Sequence, residues 1–266
     1  MAGFEIIEHP LRTIWMPVGY VGAATPKTLY VGQLVTSTLA SVSSGAMEFV
    51  QSGTPDTRQP FGVVVATNNA TPVFDTTYKA EYITSVNTQA TELARDWRGV
   101  EGMTAKGDPQ AMVQVAVIGG DTILKGRIFR AAYGTALSTG IVTTGSSDGL
   151  SYTCSAGLGL TRIAYNSTHY CRSGANMGLY RISYDTDTTG NATTLYNPFP
   201  YDISAGDVMV ACNVAVGITN LTFDSLGTYV NGQAAQTATQ VVQVLELNLR
   251  DSGSEYVIFR FNPRLI

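Results

Sequence analysis

The run Thr239-Gln-Val-Val-Gln-Val-Leu-Glu-Leu-Asn-Leu-Arg250, followed by Asp251-Ser-Gly-Ser254 and Glu255-Tyr-Val-Ile-Phe-Arg-Phe261, decides the fold class. Its side chains alternate with period two, as a strand buried on one face requires. That alternation puts Leu245, Leu247 and Leu249 on one face and Glu246, Asn248 and Arg250 on the other. The Asp-Ser-Gly-Ser tetrad supplies turn chemistry between two β-branched and aromatic runs. Residues 238–266 therefore read as a C-terminal β-hairpin that completes a sheet.

The same grammar extends toward the N-terminus. Met112-Val-Gln-Val-Ala-Val-Ile118, a Gly-Gly-Asp turn and Thr122-Ile-Leu-Lys-Gly-Arg-Ile-Phe-Arg-Ala131 read as a second hairpin. Strands are expected at 28–31, 33–37 and 60–66, with more over 73–86. A Ser/Gly/Thr-rich stretch at 41–58 makes a long hairpin loop between the second and third of these. Short strands at 150–154, 160–165, 178–184 and 208–218 alternate with turn clusters, the rhythm of antiparallel barrels and sandwiches. One short helix is expected over Thr88–Arg98, where Ala90, Leu93, Ala94 and Trp97 share a face. The fold class is mainly β: antiparallel barrel or sandwich units with an extended N-terminal arm.

The arm is 1–27. Phe4, Ile6, Ile7, Leu11, Ile14 and Trp15 alternate with the helix breakers Pro10, Pro17, Gly19, Gly22 and Pro26. An extended segment with apolar anchors must lie on something, and these six residues are the expected contact with a neighbouring subunit. A barrel-like domain is expected over 28–134, and a second β domain or elaborated insertion over 135–237. Tyr30-Val-Gly-Gln-Leu-Val35 and Ser204-Ala-Gly-Asp-Val-Met-Val210 resemble each other. A glycine turn leading into a strand explains the likeness more simply than a duplication.

Composition narrows function. Charged residues are 14% of the 266, against about a quarter in an average globular protein. Thr, Ser and Asn fill the difference, with 33, 18 and 12 copies. The stretch 135–237 is the least charged, with six Asp and three Arg. A net charge of −4 and a pI near 5.1 exclude nucleic-acid binding by bulk charge. No apolar run approaches the ~20 residues that span a bilayer, and the N-terminus lacks a basic-apolar leader pattern, so neither a membrane nor export is expected. The four Asn-x-Thr sequons then follow from Thr-rich composition.

The residues that could carry chemistry stand in little supporting context. His9 and His169 have no partners at ligand spacing, and no metal or cofactor is expected. Gly145-Ser-Ser-Asp-Gly149 matches a nucleophile elbow in letters, but strands flank it, so it reads as a hairpin turn. Asp185-Thr-Asp-Thr-Thr-Gly190 begins like a calcium loop but places Tyr196 where a Glu belongs. Cys154, Cys171 and Cys212 are an odd number at wide spacing; buried thiols are the default, with a Cys154–Cys171 pair as the alternative. No enzyme is expected. Fourteen tyrosines, six of them crowded between 165 and 201, suit wet-ended strand positions and contacts.

Leu29-Tyr-Val-Gly-Gln-Leu-Val35, a Ser/Gly-rich loop and Pro60-Phe-Gly-Val-Val-Val65 resemble the head decoration, or cement, proteins of tailed bacteriophages. The resemblance covers about 40 residues and implies a small β barrel with little helix. It also implies a seat on the outside of the capsid, the major capsid protein as partner, and a homotrimer or other homo-oligomer made in the host cytoplasm. It carries over no catalytic residues. The chain is much longer than that pattern. A tail-tube or head-fibre protein is the alternative within virions, and a carbohydrate-binding surface module the alternative outside them.

Overall fold

The computed structural model describes residues 3–8, 12–18, 28–42, 45–52, 60–69, 71–84, 112–155, 167–184, 192–233 and 240–261. All regular structure among them is β. The helix expected at 88–98 and the strand expected at 160–165 lie outside the described residues, as does the 185–190 turn. The chain forms two compact units, 1–123 with 225–228, and 124–224 with 229–265. The boundary thus falls near 123 rather than 134, and the C-terminal hairpin belongs with the second unit.

In the first unit, β1 is Phe4–Glu8, β2 Thr13–Pro17, β3 Thr28–Tyr30, β4 Leu34–Val42, β5 Gly45–Ser52 and β6 Gly62–Thr67; β7 is Phe74–Asp75, β8 Ala80–Thr84 and β9 Met112–Val117. The principal sheet is antiparallel with order β2–β9–β6–β4–β5, and a smaller sheet runs β3–β8–β7. The large sheet curls so that β2 and β5 approach each other without a hydrogen-bonded ladder closing the gap. Met16, Val18, Val35, Val64, Val113 and Val115 from the large sheet meet Leu29 and Ile83 from the small one in a shared core. The described part of the first 27 residues, 3–8 and 12–18, is therefore no separable arm. Strand β2 pairs with β9 from Thr13↔Ala116 to Pro17↔Met112 and contributes Met16 to that core.

The stretches that carry the family resemblance become neighbours. Leu34 pairs with Val63, and Val35 with Gly62. Gly32 turns the chain into β4 with φ +89°, where a side chain would be strained. Gly206 does the same ahead of the later strand at 208–212, with φ +101°, so the shared pattern is a turn leading into a strand. Gln33 is fully buried: its Oε1 accepts from the Tyr30 N–H at 2.9 Å and its Nε2 donates to the Leu226 carbonyl at 2.6 Å.

The second unit holds the remaining strands: β10 Ile123–Phe129, β11 Thr139–Gly145, β12 Ser151–Cys154, β13 Thr168–Cys171, β14 Gly178–Tyr184 and β15 Ala192–Leu195. They continue with β16 Val208–Cys212, β17 Gly217–Leu221, β18 Val230–Asn231, β19 Gln240–Asn248 and β20 Tyr256–Phe261. Strands β11–β12–β15–β14–β13–β16 close into a six-stranded barrel. Closure lies in the region read as a second domain, whereas the sheet of the first unit stays open. Strands β10–β20–β19–β17 form a sheet beside it, with β18 added parallel to β10.

Two sequence expectations need correction here. Strands β9 and β10 are not a hairpin. The turn forms, with the Gly119 N–H donating to Thr122 Oγ1 at 2.9 Å, but β9 pairs with β2 and β6 while β10 pairs with β20 and β18. The leucine face of β19 is also broken. A bulge between Val244 and Glu246 shifts the phase by one residue. Val242, Val244, Leu247 and Leu249 are buried, and Leu245 points outward with Glu246.

Candidate attachment surface

Strand β2 is an edge of its sheet, and its alternation sorts the anchors. Ile14 packs against the core with Met16, while Thr13 and Trp15 face outward, Trp15 at 47% exposure. Of the other anchors, Phe4 is buried, with its N–H on the Gly32 carbonyl, Ile6 is half-buried and Ile7 exposed. Leu11 lies outside the described residues. The six are thus divided: Trp15 and Ile7 are presented to solvent, and the rest described are held by the chain itself.

Register extends the surface across the sheet. Trp15 stands opposite Gln114 of β9, and Gln114 opposite Ala66 of β6. A bulge between Val64 and Ala66 turns Val65 outward, leaving it exposed. Gln114 Nε2 donates to Thr13 Oγ1 at 3.2 Å. The row Trp15–Gln114–Ala66 with Val65 is uncharged, and a large aromatic sits at its edge. Trp15 was legible as an apolar residue among helix breakers. Val65 was not, because only the register of β6 against β9 reveals the bulge.

The sites weighed for chemistry resolve into structure. Gly145–Gly149 joins β11 to β12 as a turn: the Leu150 N–H donates to Asp148 Oδ1 at 2.9 Å and the Ser146 hydroxyl bonds the same oxygen. Those bonds hold the Asp148 carboxyl below its ordinary range. His169 lies wholly inside the barrel, its Nδ1 joined to the Tyr152 hydroxyl and its Nε2 without a polar partner. Burial pushes its imidazole down to about 3, so it is neutral at pH 7. Cys154, Cys171 and Cys212 are unpaired and buried, with burial pushing the first up to about 11 and the last up to about 12. Among the described residues no group of three or more His, Cys, Asp or Glu could hold a metal ion; His9 lies outside them.

A second exposed feature sits in the loops at one end of the barrel. Tyr201 is 63% exposed, yet its backbone is held from both sides by buried Asn176, whose Nδ2 donates to the Tyr201 carbonyl and whose Oδ1 accepts its N–H. Tyr180 donates to the Asn176 carbonyl at 2.8 Å. Tyr196 is also exposed, under the Arg181 guanidinium. No family model, curated protein or solved structure matches the chain.

Proposed function

We propose that the chain is a non-enzymatic virion structural protein, a capsid decoration (cement) protein that binds the outer surface of a phage head and stabilises the shell. Its partner is the major capsid protein, and Trp15 with Val65 on the first unit is the attachment face. The observation that carries the reading is the pairing of Leu34 with Val63 and Val35 with Gly62. It makes one local substructure of the two stretches that resemble the decoration family. An uncharged face with an exposed Trp supports it further, because Trp dominates interface energetics and such a face avoids the desolvation cost of burying ions. On a lattice, weak contacts of this kind multiply.

Mass spectrometry of purified virions tests the location, and rebinding of purified protein to undecorated heads tests the face. Trp15→Ala should weaken rebinding at least tenfold with the fold intact. Absence from virions, or undiminished rebinding by Trp15→Ala, overturns the reading. Deleting the first 26 residues is a poor test, since it removes Met16 and Val18 from the core.

A second reading has its own observation. The clamped, exposed Tyr201 beside Asp202 suits stacking against a sugar ring, as in a carbohydrate-binding module. A glycan array separates the two: saturable binding abolished by Tyr201→Ala favours the sugar.

A further inference from the structure

The sequence contains one Asn-Gly pair, Asn231-Gly232. Asn-Gly is prone to modify itself, because a glycine nitrogen reaches the preceding side-chain amide without steric hindrance. The Gly232 nitrogen gives up its proton and bonds to Asn231 Cγ. The Cγ–Nδ2 bond breaks, and Nδ2 leaves as ammonia with that proton. Solvent water then opens the cyclic imide on either side of the ring nitrogen. Cleavage of its bond to Cγ yields aspartate. Cleavage of its bond to the α-carbonyl carbon yields isoaspartate, whose main chain runs through Cγ.

The fold withholds the nitrogen that this reaction needs. Asn231 lies in β18, paired with Phe129 of β10. The Gly232 N–H donates to the Phe129 carbonyl at 3.0 Å, and the Gly232 carbonyl accepts from the Asn213 N–H at 2.7 Å. The Asn231 N–H donates to the Thr222 carbonyl at 2.8 Å, and Asn231 Oδ1 accepts from the Gln233 N–H at 3.2 Å. Gln233 is itself buried; its Nε2 donates to the Ala211 carbonyl at 3.3 Å and its Oε1 accepts from the Ser138 N–H at 3.4 Å. Ring closure must break the bond to Phe129 and swing the peptide out of the strand. Packing also fixes the pair: a Cβ at Gly232 would lie 2.4 Å from Ile128 Cγ2 and 3.1 Å from Cys212 Sγ. The core of the second unit thus requires the reactive glycine. Strand β18 is only two residues long, so it opens by a local step rather than by global unfolding.

We propose that Asn231 is a self-modification site gated by β18. The paired strand blocks conversion to aspartate and isoaspartate, and release of β18 from β10 permits it. The change is one-way. Isoaspartate inserts a carbon into the main chain between the Asn231 and Gly232 N–H groups, so the two no longer reach Thr222 and Phe129 together. A molecule that has opened at this strand then keeps a covalent record of the opening. The inference stands on the second unit alone and goes beyond the virion reading.

Peptide mapping by mass spectrometry tests it on the full chain incubated in mildly alkaline buffer. Conversion at Asn231 should run at least roughly tenfold faster in denaturant than in native buffer, and in denaturant it should precede that of every other asparagine. Gln233→Ala removes two bonds that hold the strand end, and should raise the native rate severalfold with unchanged circular dichroism. Urea below the unfolding transition should raise the wild-type rate in step with hydrogen exchange of the Gly232 amide, a readout that stands even where Gln233→Ala fails to fold. Equal native and denatured rates, another asparagine converting first in denaturant, a folded Gln233→Ala protein that converts at the wild-type rate, or a rate that does not follow Gly232 exchange each overturn it.

Discussion

The Arg172 guanidinium and the Glu255 carboxylate stand 2.6 Å apart, with side-chain exposures of 10% and 0%. Arg172 follows β13 of the barrel, and Glu255 precedes β20 of the adjoining sheet. Arg172 Nε also donates to the Leu249 carbonyl at 2.8 Å, so one side chain joins both layers of the second unit. Arg172→Ala would leave a buried carboxylate without its counter-charge. The expected loss is about 3–5 kcal/mol of unfolding free energy, read from urea titration. Arg172→Met with Glu255→Leu should lose clearly less, because it removes both charges together.

His169 makes stability depend on pH with a definite sign. Its imidazole titrates near 3 when folded and near 6.5 when unfolded. The unfolded chain therefore takes up the proton first as pH falls. The contribution of His169 is complete above pH 6.5 and is lost progressively down to about 3. Replacing His169 by Gln should remove a slope of about 1.4 kcal/mol per pH unit in the middle of that window. Denaturant titrations of both proteins from pH 7 to pH 4 read it, and a constant difference between them would contradict it.

Gly62 is the glycine that the Phe-Gly-Val stretch cannot exchange. A Cβ there would lie 2.5 Å from the Ala116 carbonyl oxygen and run into the Val115 side chain. Both belong to β9, which lies between β2 and β6 and cannot retreat without opening the core. Gly62→Ala should cost about 1–3 kcal/mol, as overpacking does, and lower the melting temperature. A neutral result would show that β6 and β9 separate easily.

The thiols should be silent in the native protein. Burial raises Cys154, Cys171 and Cys212 above the ordinary range, so almost no thiolate forms at pH 8. A thiol-reactive dye should label them only at the rate of opening, and all three at once in denaturant. Rapid labelling of one thiol in native buffer would expose a local opening of its surroundings.

What the sequence made legible follows the range of the interactions. The hairpin of β19 and β20 was readable because its alternation and turn are local. The bulge at Leu245 was not, since it depends on how two strands align. Strand β13 escaped notice because Thr168-His-Tyr-Cys171 looks polar, although Thr168, His169 and Cys171 are all buried. Barrel closure rests on β11 pairing with β16, from Thr139↔Val210 to Ile141↔Val208, a contact about seventy residues apart that no periodicity announces. Of the attachment surface, Trp15 was visible in the chain, whereas its neighbours came only with the register.

The return of Ser225–Thr228 to the first unit bears on how the protein is made. The Leu34 N–H donates to the Gly227 carbonyl and the Gln33 amide to the Leu226 carbonyl. A ribosome releases Gln33 and Leu34 nearly two hundred residues before those acceptors exist. The first unit must wait with a buried amide and a backbone N–H unanswered while most of the second unit emerges. Birth order and completion are thus far apart for the N-terminal unit: it is begun first, yet it closes only shortly before the second unit, whose β19 and β20 are the last strands to emerge.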